Sequence, residues 1–247
     1  MKTCIIIPTC GKGDIISCLK SIIQYTDTSN VRILISANGC PSHTIEAIKS
    51  LKCCELIINN QQLGFPKAVN IALKNITNSH VVLINDDLVI QEPWLHLFVN
   101  ALDKADIIGD IVFRIDFFIA GKYISFNVVS FHFALIKWQV FEKIGFLDES
   151  FSPGYGEDID FCFKAIRNNF KLLEIPIHNK HIQGQSLRSN NWEIGLSRIP
   201  DQCIKHMIDE GHILGTPWSC SNHKLKNDQW VFCPDCVQNY VNFQNTR

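Results

Sequence analysis

Apolar residues follow two patterns along this chain. Short β-branched runs occupy residues 4–7, 31–35, 55–58 and 81–84, each bounded by polar or turn-forming residues, and runs this short predict buried strands rather than helices. Between them apolar positions recur at helical spacing: Ile15, Ile16, Leu19, Ile22 and Ile23, then Ile45, Ile48 and Leu51, then Ala68, Ile71 and Ala72. Local signals agree with this division. Pro8 closes the first run, Asp14 can cap the first helix, Asn38-Gly39 forms a turn after the second run, and Pro66 suits the first helical position. After Pro93 a further helix pattern runs through Leu95, Phe98 and Leu102. Strands and helices alternating at this length predict an α/β fold, with a mostly parallel mixed sheet flanked by helices.

The pattern then changes. Residues 107–115 and 123–136 are β-rich and partly alternating around Gly121, as expected for antiparallel pairing or an edge hairpin. Residues 138–144 read as a short helix stopped by Gly145. A glycine-containing loop, FSPGYGEDID, then delivers Glu157, Asp158 and Asp160 to the start of another helical pattern, at Ile159, Phe163 and Ile166. Asn169 is expected to end that helix in the left-handed conformation, and residues 171–175 to form a last strand before Pro176. Beyond Ser186 the chain turns polar and irregular, with a helix expected over 200–210. The expected organisation is one α/β domain over residues 1–186 and a small C-terminal extension over 187–247.

Candidate chemistry gathers first at Asn85, Asp86 and Asp87, directly after the run at 81–84. Three oxygen-bearing side chains at the carboxyl end of a core strand lie where open α/β sheets bind ligands. In an extended chain Asn85 and Asp87 share a side and Asp86 faces away, so one pair could meet a hard cation together. A plain turn explains the same residues. Composition narrows the partners. Lys and Arg number 23 against 24 for Asp and Glu, which gives no electrostatic footprint for nucleic acid. The apolar run before Pro8 is too short for a signal-peptide core or a membrane span, and no stretch of about eighteen apolar residues occurs elsewhere. Eleven scattered cysteines, an odd number, fit a reducing compartment better than a disulfide framework. A cytoplasmic protein is expected, with a peripheral place at a membrane surface left open.

Several motifs taken in order, IIIPTCG, ANG, LGFPKAVNIAL, INDD, EKIGFLDESF, GYGEDIDFCFKA and HIQGQS, resemble the inverting glycosyltransferases of family 2, including rhamnosyltransferase-like members, over roughly residues 3–186. The resemblance implies a GT-A fold and transfer of a hexose or deoxyhexose from a nucleotide-sugar donor to a carbohydrate or other hydroxyl acceptor, which could be lipid-linked. By position it places Pro8, Thr9 and Cys10 along the nucleotide base, Asn38 at the nucleotide and Lys67 near the diphosphate. Asn85, Asp86 and Asp87 fall on the DxD motif, Asp87 and His181 on the metal ligands, and Asp158 on the general base. Three residues depart from the pattern: Ala37 stands where relatives carry an aspartate that reads the base or ribose, Asn85 replaces the first acid of DxD, and Phe131 stands where a glycine is common.

The residue chemistry adds expectations of its own. Asp158, near a helix N-terminus whose dipole favours the ionised form, would be ready to accept a proton at neutral pH. One formal negative charge among Asp87, Asn85 and His181 is too little to hold Mg²⁺ tightly, so metal and donor should bind together, with Mn²⁺ suited to the imidazole. Helix decoration by the acids at 157–160 and a solvated role for Lys67 explain the same residues without catalysis. In the tail, Cys220 and His223 followed by Cys233 and Cys236 have the spacing of a structural Zn²⁺ site, or are free thiols. Two other readings stand beside the transferase. One is an inactive GT-A-like protein that binds nucleotide or a partner, which Ala37 keeps in play; the other is a nucleotidyltransferase on a related sheet.

Overall fold

The structure is a computed structural model that describes residues 2–119, 122–154, 156–181, 224–226 and 229–231. The amino-terminal part alternates as the pattern predicts: β1 (Thr3–Thr9), α1 (Ile15–Tyr25), β2 (Val31–Asn38), α2 (Ser42–Ser50), β3 (Glu55–Asn59), α3 (Phe65–Leu73) and β4 (His80–Ile84). Asp14 caps α1 by accepting from Ser17 N at 3.1 Å. Strand β1 continues past Pro8 to Thr9. There it is paired with β2 alone, its ladder to β4 having ended at Ile6, which suits a residue without an N–H.

Then follow β5 (Leu88–Ile90), α4 (Leu95–Asn100), β6 (Ile107–Gly109), β7 (Val112–Ile119), β8 (Lys122–Val129), β9 (Phe133–Ile136), α5 (Trp138–Ile144), α6 (Glu157–Arg167), β10 (Leu172–Glu174) and β11 (Asn179–His181). Two short strands, β12 (Lys224–Lys226) and β13 (Gln229–Val231), pair antiparallel in the tail. The main sheet has seven strands in the order β10-β6-β9-β4-β1-β2-β3, and every strand except β9 runs the same way.

The second half corrects two expectations and adds a strand. The β-rich run at 123–136 is two elements, because Ser130, Phe131 and His132 break it: β8 pairs with β7 in a hairpin, whereas β9 enters the main sheet between β4 and β6. Leu88–Ile90, left unassigned by the pattern, is a strand, and the strand at 172–174 is not the last, since β11 pairs antiparallel with β5. Three residues with too little apolar character to signal a strand, Asn179, Lys180 and His181, are held there by their partner. Asn169 takes the left-handed conformation expected of it, at φ 64°.

Alternation along β1 places the core on both sides of the sheet. Ile5 and Ile7 join residues of α1, α2 and α4, with Trp94, Phe98 and Phe133 stacked edge to face among them. Cys4 and Ile6 face α3, α5 and α6. Each fully buried Ile or Leu is worth about 1.5–3 kcal/mol relative to exposure, so both helical layers are firmly seated. The carboxyl ends of β1, β2, β4 and β6, with the incoming end of β9, therefore open on one rim.

Candidate active site

Chain direction sorts the three residues after β4. The backbone makes a turn, with Leu88 N donating to Asn85 O at 3.2 Å, yet the side chains diverge as an extended chain would send them. Asp86 points back under β1: Thr9 Oγ1 donates to its Oδ2 at 2.5 Å, and the backbone of Gly13 hydrogen-bonds it too. A Cβ on Gly13 would collide with that carboxylate, so the first loop must carry glycine there. Burial pushes the Asp86 carboxyl up to about 6 against these bonds, which lower it. Asp86 is thus a tie between β1 and β4. Asn85 and Asp87 face the other way, toward β11.

Opposite Leu88 in the β5–β11 pair stands His181. Its Nε2 lies 3.1 Å from Asp87 Oδ1 and 3.5 Å from Asn85 Nδ2. Asp87 Oδ1 is buried and, among the described residues, has no hydrogen-bond partner, although the imidazole nitrogen lies close by. Two good ligand atoms that approach without bonding each other suit a shared third partner. A divalent cation fits that donor set, oxygen from Asp87 and nitrogen from His181. Among the described residues no three His, Cys, Asp or Glu side chains gather to hold one by themselves. Further oxygens would have to come with a ligand.

The ring of His181 stacks on that of His132, with centroids 4.5 Å apart and planes 9° from parallel. His132 lies just before β9, where its carbonyl accepts from Asn85 N at 2.9 Å. Its Nε2 reaches Asp110, at the carboxyl end of β6, at 3.1–3.2 Å, and its Nδ1 lies 2.8 Å from Ser130 Oγ. Neither His132 nor Asp110 was anticipated from sequence. A signal existed for Asp110, which follows a core strand in the same way that Asp87 does.

Asp158, the second residue of α6, is a neighbour of His132. Ile159 N donates to its Oδ1 at 2.8 Å, the backbone of Phe131 also bonds it, and His132 is close enough to stabilise its charge. Burial dominates all three and pushes the carboxyl up to about 6, so the dipole does not set its acidity as the sequence suggested. At neutral pH the group is still ionised and is a stronger base than an ordinary carboxylate. Phe131, flagged as a departure, turns its ring into the core, where it meets Phe161 of α6 edge on at 5.5 Å. It braces the helix that carries Asp158.

The remaining expected residues line the other end of the rim. Pro8 and Thr9 end β1, and Cys10 follows, half-buried; Cys40 Sγ donates to Thr9 O at 3.3 Å. Asn38 has both ends of its amide engaged, with Nδ2 on Ser36 O and Oδ1 accepting from Asn59. It pins β2 to β3, which leaves its side chain little to offer a nucleotide. Ala37 is fully buried. Lys67 is half-buried in the first turn of α3, whose N-terminus is held by Phe65 N donating to Pro153 O at 2.8 Å. Cys220, His223, Cys233, Cys236, the helix expected over 200–210 and most of the extension over 187–247 lie outside the described residues.

With this geometry in view, the family model described as glycosyl transferase family 2 matches residues 4–152, more than half of the chain. The chain belongs to glycosyl transferase family 2. No curated protein matches the sequence. Solved structures show the GT-A fold for this family 2 chain. The mannosyltransferase PcManGT from Pyrobaculum calidifontis, in complex with GDP-Man and Mn²⁺, superposes with a TM-score of 0.60 at 14% identity, covering 84% of this chain and 64% of its own. GalNAc-T7 with UDP, GalNAc and Mn²⁺ gives 0.59 at 10% identity, over 90% of this chain and 52% of that one. Residues 1–349 of S. aureus TarS give 0.55 at 11% identity, over 94% and 96%. This family 2 chain therefore spans less than two thirds of the first two. Among its described residues no helix is long and apolar enough to cross a membrane.

Proposed function

We propose that the chain is an inverting glycosyltransferase that moves a sugar from a nucleoside diphosphate donor to an acceptor hydroxyl in one in-line displacement. The observation that carries this reading is that an acid-and-histidine pair, Asp87 and His181, and a half-buried carboxylate, Asp158, all neighbour one residue, His132. Asp158 accepts the acceptor's proton as its oxygen attacks the anomeric carbon, and the bond from that carbon to the diphosphate breaks. Asp87 and His181 would hold a divalent cation, Mn²⁺ or Mg²⁺, which when bound supplies positive charge to the leaving diphosphate. Mn²⁺ in the mannosyltransferase and GalNAc-T7 structures supports that choice, and imidazole favours it over Mg²⁺. The end of β1 and the first turn of α3, with Lys67, hold the nucleotide.

The test is a panel of UDP-, GDP- and dTDP-sugars with Mn²⁺, read first by thermal shift and then by release of nucleoside diphosphate. Binding and slow release by the wild type, with release lost in Asp158→Asn or Asp87→Ala while the protein stays folded, is the expected result. Binding without release from any donor would point instead to a nucleotide-binding protein without activity. Pyrophosphate produced from a nucleoside triphosphate would point to nucleotidyl transfer.

A further inference from the structure

We propose that Asp110 and His132 are positioning residues that hold the His181 imidazole toward the cation; this rests on the metal-assisted reading above. His181 sits on a strand of only three residues, paired with another of three, so its own backbone gives it little support. Two side-chain contacts supply what the ladder lacks. Asn179 Nδ2 donates to Asp110 Oδ2 at 2.6 Å, and residues two apart on a strand share a face, so anchoring Asn179 also sets the side on which His181 emerges. The nearly parallel stack on His132 then fixes the plane of the ring.

His132 can serve as a platform because its own orientation is determined at both nitrogens. Nε2 pairs with Asp110 and Nδ1 with the Ser130 hydroxyl, whichever nitrogen carries the proton, and no ring nitrogen remains for substrate. Both residues are nearly inaccessible, Asp110 at 5% and His132 at 7% exposure, so they act through His181 rather than on the sugar. The topology makes this possible. β9 runs against its neighbours, so the residue entering it lies on the same rim as the carboxyl end of β6, and Asp110 meets His132 there. One carboxylate thereby ties β6, the entry to β9 and β11 together beside Asp87.

Partners that orient a metal-binding histidine are typically worth about 10- to 100-fold in metal affinity. Mn²⁺ binding to the full chain is measured by electron paramagnetic resonance in the presence of UDP and, separately, GDP. Asp110→Ala and His132→Ala are expected to weaken Mn²⁺ binding by about 10- to 100-fold. His132→Phe, which keeps a flat ring under His181, is expected to recover most of the loss. Asp110→Asn, close in size, serves if the alanine variant does not fold, and is expected to lose affinity in the same direction. Asp87→Ala is the control. Should it abolish Mn²⁺ binding while folded Asp110 and His132 variants bind as the wild type does, the positioning role is wrong and the metal site stands. Should Asp87→Ala itself bind Mn²⁺ normally, the metal site and the role built on it both fall. A drop in melting temperature with unchanged Mn²⁺ affinity marks a merely structural pair and also overturns the proposal.

Discussion

The two halves of the sheet hold their functional groups by different means. Along β3-β2-β1-β4 the strands are parallel and the tips are placed chiefly by backbone ladders and apolar faces, so Pro8, Thr9 and Asn85 to Asp87 arrive on the rim by ending a strand, and the Thr9–Asp86 and Asn38–Asn59 bonds join neighbouring tips. On the side of β9, β6 and β11 the ladders are short, and long-range polar bonds do the placing: Asp110 to His132 and Asn179, and Asp106 to Lys137 and the amide of Lys171. A tip on a long ladder needs support only from the neighbouring tip. A ligand or base delivered from a distant segment needs its own tether, and removing the tether should cost function before it costs the fold.

The following experiments break or sharpen this contrast. The largest effect is expected from Asp158→Asn, which should lower sugar transfer by about 10²- to 10⁴-fold with donor binding retained; near-normal turnover would remove Asp158 as the base. The wild-type pH profile follows from the same residue. With its carboxyl at about 6, kcat/KM should fall with acid from near pH 6, and a limb near pH 4 would show that another group limits the rate.

Stability should move in the opposite sense. The Asp158 carboxyl is raised from 3.8 to about 6 in the fold, so between those pH values the folded chain keeps a proton that the unfolded chain has released. Its contribution therefore declines as pH rises through that window and is level above it. Asp158→Asn should then be more stable than wild type at pH 7, by at most about 3 kcal/mol, and no more stable near pH 3; denaturant titration at both values decides it. A third, smaller effect is expected from Asn70→Ala. The buried Asn70 amide bonds both the carbonyl and the N–H of Leu147, and reaches Glu149, so its loss leaves buried groups unpaired at about 1–3 kcal/mol, read as a lowered denaturation midpoint. The smallest belongs to the parallel half. Arg32 pairs with Glu55 on the surface at 39% and 57% exposure, and Arg32→Ala should cost under about 1 kcal/mol and leave activity unchanged. A larger loss there would mean that the parallel tips also depend on side-chain ties.

The same contrast explains what sequence could reveal. Alternating runs and helical spacing were enough for β1 to β4 with α1 to α3, because each element carries its own apolar periodicity. The diverging side chains of Asn85, Asp86 and Asp87 followed from strand geometry. By contrast β5, β9 and β11 owe their places to partners far along the chain, so a run such as Asn179-Lys180-His181 showed no strand pattern at all. His132 gave no signal as a histidine between two phenylalanines. The family resemblance pointed to Asp158 and His181, but the burial that raises the pKa of Asp158 is a property of the assembled rim, to which the adjacent helix dipole gave a misleading guide.

Gly64 bears on how the site is held together. It takes a positive φ of 85° at the start of α3, and a Cβ there would strike the backbone of Pro153. The first turn of α3 and the loop preceding Asp158 are thus in bare main-chain contact, with no side chain between them to act as a bearing. A residue larger than glycine at position 64 would therefore have to prise the Pro153 segment away from the first turn of α3.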